Sequence, residues 1–328
     1  CSLVVETTRV CWQMVNMNST GPDSPTAPLA IVVLAAGKGT RMKSDLHKVL
    51  HPIAGRPILE HLLANAALLT PERQVVVAGH GKEQLEKTLQ DRATIALQEP
   101  QLGTGHAVLQ AKEALADFEG DVLILYGDVP FVRAETMRAM LERLHGDQKP
   151  PIVVLGFEPE DTLQYGRIIA DGDQIRQMVE HKDASTEQRA TKLCNSGLMA
   201  VRSADLFVLL ERVGNDNSQG EYYLTDIVNI ANQDGQYCAV VVTDDEDEVA
   251  GINSRGELAQ AEGKWQARRR VQAMADGATL IAPDTVWFAF DTQLGRDVTI
   301  EPNVIFGPGV SVADGVIIHA FSHLEGAT

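Results

Sequence analysis

Short runs of β-branched and other apolar residues alternate with segments of helical periodicity along the first two thirds of the chain. The intervening segments, such as AETMRAMLERLH, repeat apolar residues at the spacing of one helix face. Strands that alternate with helices are typical of βαβ units. The pattern therefore predicts an α/β, Rossmann-like fold with a mostly parallel sheet. The predicted strands are AIVVLA, QVVVAGH, TIALQ, DVLILYGD and PIVVLGF.

The pattern changes at two later places. From Gly166 the segment GRIIADGDQIRQMVEH predicts two strands around an Asp-Gly turn, which we expect to lie outside the main sheet. The stretch Arg255–Ala275 predicts a long polar helix that ends before Gly277. Its three consecutive arginines at 268–270 indicate a solvated face.

Beyond Gly277 apolar residues recur every six positions in two columns. Residues two apart in a strand point the same way, so each hexad supplies one inward pair before the chain turns a corner. This pattern predicts the start of a hexapeptide β-helix. The columns are Val298, Val304, Val310, Val316 and Ile300, Phe306, Val312, Ile318.

These patterns divide the chain into four parts. Residues 1–28 are expected to be a flexible leader, because the run NSTGPDSPTAP is turn-forming, and Met17 is a plausible true start. An α/β domain at 29–254 is followed by a linker helix at 255–277. The incomplete β-helix occupies residues 278–328.

Charge and composition exclude several classes of protein. The 28 basic and 45 acidic residues leave a formal charge of −17, which disfavours nucleic acid and anionic membranes as partners. No apolar run approaches the ~20 residues of a membrane span. The four cysteines form no C-x-x-C pair, as expected of reduced thiols. We expect a cytoplasmic protein.

The first strand leads into a glycine-rich loop, LAAGKGTRM, whose backbone N–H groups suit phosphate binding. Met42 stands where the dinucleotide fingerprint and the P-loop each require glycine, so both of those motifs fail. Two cations of this connection, Arg41 and Lys48, are expected to converge on a triphosphate.

The strand DVLILY is followed by Gly127 and Asp128. Ligands of open α/β sheets lie outside the carboxyl ends of the strands, so this carboxylate is placed to hold a metal beside phosphates. Mg²⁺ needs only one or two protein ligands there. A helix-capping role for Asp128 remains open on this pattern alone.

Several further motifs occur together and carry a resemblance. They are LAAGKGTRM, KVLH, QEPQLGTGHA, YGDVP, YGR, EHK, NSG, GEYY and GIN. In this order they resemble the family of bifunctional bacterial enzymes that are N-acetylglucosamine-1-phosphate uridylyltransferases and glucosamine-1-phosphate acetyltransferases. The resemblance runs from about Ala30 to the end of the chain, and it implies a left-handed parallel β-helix after the first domain.

The resemblance also implies roles for individual residues. The family usually has proline before the phosphate-binding lysine, and His47 stands there in this chain. Catalysis would involve Arg41 and Lys48, and Mg²⁺ would bind to Asp128 and Asn253. The sugar would contact Gly166, Glu180, Asn195 and Asn253. The nucleotide would contact Leu34, Ala35, Ala36, Gly37, Lys48, Gln98, Gly103, Thr104, Tyr126, Gly127 and Asp128.

The activity implied is uridylyl transfer from UTP to N-acetylglucosamine 1-phosphate, for peptidoglycan and lipopolysaccharide precursors. The full-length protein would be a homotrimer that also acetylates glucosamine 1-phosphate from acetyl-CoA, whereas the chain as given is expected not to. A nucleotidylyltransferase for another sugar phosphate remains an alternative. So does a non-catalytic regulatory subunit similar to nucleotide-exchange factors of translation initiation.

Overall fold

A computed structural model describes residues 27–162 and 164–328. The expected leader lies outside these residues except for its last two. Within the described part, no helix combines the length and the apolar sequence that crossing a bilayer requires.

The first part of the structure contains a nine-stranded sheet with helices on both faces and a separate two-stranded sheet. Its strands are β1 (Leu29–Ala35), β2 (Pro52–Ile53), β3 (Arg56–Pro57), β4 (Arg73–Ala78), β5 (Thr94–Leu97), β6 (Asp121–Tyr126), β7 (Ile152–Phe157), β8 (Arg167–Asp171), β9 (Gln174–Val179), β10 (Cys194–Arg202) and β11 (Ala239–Thr243). Its α-helices are α1 (Ile58–Ala67), α2 (Lys82–Leu89), α3 (Thr104–Leu109), α4 (Ala134–His145), α5 (Thr186–Arg189), α6 (Ser203–Leu210) and α7 (Asp226–Gln233), followed by α8 (Arg255–Ala275). Short 3-10 turns lie at Thr40–Met42, Lys48–Leu50, Gln90–Arg92, Glu246–Glu248 and Pro283–Thr285.

The main sheet has nine strands in the order β5-β4-β1-β6-β10-β7-β11-β9-β8, and β2 pairs separately with β3. Strands β5, β4, β1 and β6 are parallel, as predicted. Leu34 pairs with Tyr126, so β1 and β6 end side by side at one edge of the sheet. Strand β10 runs antiparallel between β6 and β7, which makes the sheet mixed.

Strand β1 is buried on both faces because helices cover the sheet from either side. Alternate residues contribute to two separate cores: Val32 packs in the cluster with α6 and α7, and Val33 packs in the cluster with α1 and α4. This burial explains why β1 is a continuous apolar run rather than an alternating one. Its carboxyl end is thereby fixed where the glycine-rich loop begins.

The predicted hairpin forms, with β8 and β9 antiparallel around Gly172. The expectation that it lies outside the main sheet is wrong, because Gln174 pairs with Ala239 of β11 and Arg167 pairs with Cys194 of β10. Joining the hairpin to the sheet gives the exposed edge of β11 a hydrogen-bonding partner. It also brings residues near Gly166 towards the carboxyl end of β6.

Helix α8 connects the sheet to the β-helix. Of its three consecutive arginines, Arg268 is exposed, as predicted, whereas Arg269 and Arg270 are half-buried, so the predicted solvated face is wrong for those two. Arg268 pairs with Asp245 and Asp247, at 3.2 Å in each case. The guanidinium of Arg269 lies 5.1 Å from the centre of the Phe288 ring. Arg270 donates a hydrogen bond of 3.3 Å to the Val286 carbonyl. Consecutive arginines thus hold both parts of the chain.

The remaining chain folds as a parallel β-helix. Strands of adjacent coils pair at a spacing of 18 residues, as Thr299 does with Ile317, except at the first pair, where Thr279 and Thr299 are 20 residues apart. Six of the eight predicted column positions are buried and Val312 is partly buried, whereas Val316 is exposed. Val316 lies in the outermost described coil, so a neighbouring coil covers only one of its sides. The strands are β12 (Thr279–Leu280), β13 (Gln293–Leu294), β14 (Thr299–Ile300), β15 (Ile305–Phe306), β16 (Ser311–Val312), β17 (Ile317–Ile318) and β18 (His323–Leu324).

The corners of the β-helix repeat with the same hexad spacing. One residue at each of five successive corners has a positive φ: Asp297, Asn303, Gly309, Gly315 and Phe321. The left-handed conformation turns the chain sharply and suits glycine, Asn and Asp best.

Candidate active site

A cleft of about 490 Å³ opens at the sheet edge where β1 and β6 end. It joins the glycine-rich loop, the QLGTGHA segment, the end of β6 and the GEYY segment, which are far apart in sequence. We call it the sheet-edge cleft. Its lining residues are Leu34, Ala35, Ala36, Gly37, Lys38, Lys48, Val49, Gln98, Gln101, Gly103, Thr104, Ala107, Tyr126, Asp128 and Glu221.

The glycine-rich loop closes tightly over Lys48. Gly39 has a φ of +58°, and a β-carbon there would lie 2.7 Å from Cβ of Lys48. Only glycine permits this approach without displacement of the lysine. Gly37, in contrast, is exposed, with no atom within 4 Å of the position of a β-carbon. The loop is therefore anchored at one glycine and open to a ligand at the other.

Lys48 joins the two residues expected to bind a metal. Its ammonium forms an ion pair with the Asp128 carboxylate and donates a hydrogen bond of 3.1 Å to Oδ1 of Asn253. The side chains of Lys48 and Asp128 are 12% and 15% exposed, so solvent screens this pair incompletely. An oxygen of the Asp128 carboxylate and the amide oxygen of Asn253 thus both contact the positively charged ammonium of Lys48.

This donor set fits Mg²⁺, which takes oxygen ligands and needs only one or two from the protein beside substrate phosphates. No cluster of three or more His, Cys, Asp or Glu side chains suited to a metal occurs in the described ranges.

The turn that carries Asn253 is fixed by the start of α8. Its backbone N–H donates a 2.6 Å hydrogen bond to Glu257, and the Ser254 hydroxyl accepts one of 3.3 Å from the Glu257 N–H. The Ile252 N–H donates to the Asp128 carbonyl at 2.9 Å. Helix capping thereby positions Asn253 beside Asp128.

Arg255 ties the same turn to the glycine-rich loop. Its Nε donates a hydrogen bond of 3.2 Å to the Met42 carbonyl, and its Nη1 lies 3.3 Å from Nδ1 of His51. His51 is buried, and burial lowers its pKa, with the nearby Arg255 adding to the effect. The neutral ring therefore accepts from Arg255.

Gln98 forms the inner wall of the sheet-edge cleft and is only 4% exposed. Its Nε2 donates a hydrogen bond of 2.9 Å to the Gly103 carbonyl and lies 3.1 Å from Nδ1 of His106. Gly103 has a φ of +114° and lies against the backbone of Tyr222, where a β-carbon would meet the carbonyl oxygen at 2.6 Å. The QLGTGHA and GEYY motifs are thus packed together.

A second group of predicted residues meets beside Tyr126. The Asn195 N–H donates a hydrogen bond of 2.9 Å to the Gly166 carbonyl. A β-carbon on Gly166 would lie 3.3 Å from Oε2 of Glu180. Glu180 accepts a hydrogen bond of 3.1 Å from the Thr225 hydroxyl. The three sugar-site residues expected from the sequence therefore converge.

Burial raises the pKa of Glu180, against the lowering effect of the Thr225 hydrogen bond, and nearby acidic residues such as Asp226 raise it further. Burial likewise raises the pKa of Tyr126, with Glu180 and Asp128 contributing. A carboxyl whose charged form is disfavoured gains from a ligand that donates hydrogen bonds to it. Sugar hydroxyl and amide groups are donors of that kind.

Arg41 is not brought to the cleft: it is exposed and absent from the lining. Five other expected residues are also absent from the lining of the cleft, namely Gly127, Gly166, Glu180, Asn195 and Asn253. Lys38, Gln101 and Glu221 line it but were not assigned from the sequence. The available signal was their place inside the recognised motifs, where the Gln101 amide holds the Ala36 carbonyl.

Comparisons with known proteins agree with this architecture. Residues 31–211 match the MobA-like NTP transferase domain, and residues 291–326 match the bacterial transferase hexapeptide repeats. A crystal structure of a putative glucose-1-phosphate thymidylyltransferase from Bacillus anthracis superposes with a TM-score of 0.58 at 16% identity, covering 71% of this chain and 94% of that one. At that identity the likeness establishes the fold.

Curated relatives are much more similar, and each is named bifunctional protein GlmU. The chain is 77% identical to that of Novosphingobium aromaticivorans over 86% of its length, 67% to that of Sphingopyxis alaskensis over 92%, and 56% to that of Zymomonas mobilis over 92%. It spans 62%, 66% and 67% of those three proteins, or about two thirds of their length. With an NTP transferase domain and hexapeptide repeats in the same order, the chain belongs to the GlmU family.

Proposed function

We propose that the chain transfers the uridylyl group of UTP to N-acetylglucosamine 1-phosphate, giving UDP-N-acetylglucosamine and pyrophosphate. The observation that carries the proposal is the contact of Lys48, which lines the sheet-edge cleft, with both Asp128 and Asn253. It unites a phosphate-binding cation with two metal-type ligands beside an open glycine loop. The product would feed peptidoglycan and lipopolysaccharide synthesis, and we place the reaction in the cytoplasm, where UTP is available.

The reaction needs no protein base. The phosphate of the sugar is ionised at neutral pH, so its oxygen attacks the α-phosphorus of UTP directly. A new P–O bond forms as the bond to the β-phosphate bridging oxygen breaks, and pyrophosphate leaves. The contribution of the protein is alignment of the two phosphates and neutralisation of the developing charge.

Individual residues then have separate tasks. Lys48 neutralises phosphate charge from inside the cleft, and Arg41 does so from the exposed side of the loop. Mg²⁺ held by Asp128 and Asn253 would supply further neutralisation of the phosphate oxygens. Gln98, Gly103 and Thr104 bind the uracil. Gly166, Glu180 and Asn195 bind the sugar, whose hydroxyl and acetamido groups match their donors and acceptors.

The test is pyrophosphate release from purified protein incubated with each nucleoside triphosphate and a panel of sugar 1-phosphates. We expect release with UTP and N-acetylglucosamine 1-phosphate in the presence of Mg²⁺. Release with another pair only would favour a different nucleotidylyltransferase. No release with any pair would favour a regulatory protein, which has no need of the contacts between Lys48, Asp128 and Asn253.

For the whole protein, which is longer than this chain in its relatives, we propose a second activity in the β-helix. It would acetylate glucosamine 1-phosphate from acetyl-CoA, as a homotrimer. The support is the hexapeptide-repeat match together with the word bifunctional in the names of the relatives. Thiol release from acetyl-CoA and light scattering on the full-length protein test the two parts of this proposal.

A further inference from the structure

The side-chain amide of Gln98 is held in one orientation. An amide has one nitrogen with two hydrogens to donate and one oxygen that only accepts. Its Nε2 lies 2.9 Å from the Gly103 carbonyl oxygen, which can only accept. Rotating the amide by half a turn would place two oxygens against each other. The nitrogen therefore faces Gly103.

His106 takes the second hydrogen of the same nitrogen. Its Nδ1 lies 3.1 Å from Nε2 of Gln98. Burial lowers the pKa of His106, which favours the neutral ring. A neutral imidazole accepts at one nitrogen and donates at the other, so Nδ1 accepts and Nε2 carries the hydrogen. Nε2 of Gln110 donates a hydrogen bond of 3.0 Å to the His106 carbonyl, and it lies 3.2 Å from the ring Nε2, to which it then makes no hydrogen bond because both nitrogens are donors.

With both hydrogens of its nitrogen used, Gln98 presents only its oxygen to the cleft. No residue in the described ranges donates to this Oε1, and the atom is not among the fully enclosed ones. Oε1 is therefore an acceptor without a protein partner, and it belongs to a residue of the cleft wall that is only 4% exposed. Such a group attracts a donor and repels another acceptor, and it costs free energy when a ligand leaves it unpaired.

The two pyrimidine nucleotides differ in this respect. N3 of uracil carries a hydrogen, whereas N3 of cytosine is an acceptor. We propose that His106 is a specificity-positioning residue, which holds the Gln98 amide with its oxygen towards the base so that UTP is selected over CTP. This inference rests on the proposed function, and His106 itself is not among the residues that line the sheet-edge cleft.

The experiment compares kcat/KM for UTP and for CTP at a fixed concentration of N-acetylglucosamine 1-phosphate. In His106→Leu the second partner of the Gln98 nitrogen is lost, and we expect the UTP to CTP ratio to fall about tenfold, the equivalent of one hydrogen bond. The loss should appear in KM for UTP, with kcat little changed. His106→Ala serves the same purpose if the leucine variant does not fold.

Two matched variants separate positioning from packing. His106→Asn keeps an acceptor near the place of Nδ1 and should retain most of the ratio. Gln110→Ala removes the contact on the other side of the ring and should leave the ratio unchanged. An unchanged ratio in His106→Leu, or equal losses in the leucine and asparagine variants, would overturn the proposal.

The outcome remains interpretable if the proposed reaction fails. Thermal stabilisation by UTP or CTP alone reports base preference without turnover. Wild-type protein that is stabilised by UTP but releases no pyrophosphate contradicts the proposed function and still tests His106. Equal stabilisation by the two nucleotides in wild-type protein contradicts the role of His106.

Discussion

The ring of Tyr126 lies against Gly197 so closely that a β-carbon on Gly197 would stand 2.7 Å from Cε2 of the ring. Gly197 has a φ of +88°, so an L-residue there is strained as well as crowded. Tyr126 is the last residue of β6 and directly precedes the Gly127-Asp128 pair. The glycine of the NSG motif therefore supports the position of the expected metal ligand.

Gly197→Ala is expected to displace Tyr126 and to reduce turnover at least tenfold, besides a backbone cost of about 1–2 kcal/mol in stability. Gly172→Ala is the matched control, because Gly172 also has a positive φ but has no atom within 4 Å of the β-carbon position. Both variants should melt at lower temperature, and only Gly197→Ala should lose activity. Equal activity in the two variants would contradict the role assigned to the contact.

Removal of either expected metal ligand should abolish most turnover. We expect Asp128→Ala and Asn253→Ala to lower kcat on the order of 10²- to 10³-fold with the fold intact by circular dichroism. Asp171→Ala, which removes an exposed carboxylate of the β8–β9 turn, is the control. A folded Asp128 or Asn253 variant with near-wild-type activity in Mg²⁺ would show the assignment to be wrong.

The two halves of the site should serve different substrates. Lys48→Ala and Arg41→Ala are expected to raise KM for UTP, with the smaller effect at exposed Arg41. Asn195→Ala and Glu180→Ala should act mainly on the sugar phosphate. Hydrogen bonds of such groups contribute about 1.5–3 kcal/mol when charged, or roughly tenfold or more in KM. Steady-state kinetics with each substrate varied in turn checks this division, and four indistinguishable profiles would refute it.

His47 gives a pH dependence to the stability. Burial, with Lys48 adding to the effect, lowers the pKa of His47 from 6.5 to about 4. Between pH 6.5 and 4 the imidazole of His47 therefore binds a proton in the unfolded chain but not in the folded state. The free energy of unfolding is therefore unaffected by His47 above pH 6.5, and it falls by about 3 kcal/mol as the pH drops to 4.

Replacing this side chain should flatten that dependence. The backbone of His47 has a φ of −54°, which proline accepts, and its N–H donates a 2.8 Å hydrogen bond to Gln84. His47→Pro is expected to melt at a more constant temperature between pH 6.5 and 4 than wild type. Gln84→Ala removes the same hydrogen bond and keeps the imidazole. If the melting temperatures of wild type and His47→Pro fell equally between pH 6.5 and 4, His47 would be excluded as the source of the pH dependence.

The sequence was most informative where a single side-chain period decides the structure. The continuous apolar run of β1 is buried on both faces, and the hexad column from Val298 to Val310 buries one repeated face, so both elements could be predicted. The antiparallel place of β10 could not, because strand order depends on contacts between distant segments. The sequence also could not predict that Lys38, and not Arg41, lines the cleft. The direction of the loop depends on residues in the left-handed conformation, such as Gly39 and Lys43.

Helix α8 determines how the protein can be dissected for separate expression. A cut before Arg255 removes the guanidinium that holds the Met42 carbonyl and takes away the cap beside Asn253. A cut after Ala275 keeps those bonds but strips Arg269 of the Phe288 ring and Arg270 of its carbonyl partner. The second cut also exposes Ala273, which packs in the apolar core of the β-helix. Helix α8 therefore packs against both the α/β domain and the β-helix, and a cut at either end of it exposes a surface that is normally in contact with the helix or with the other domain.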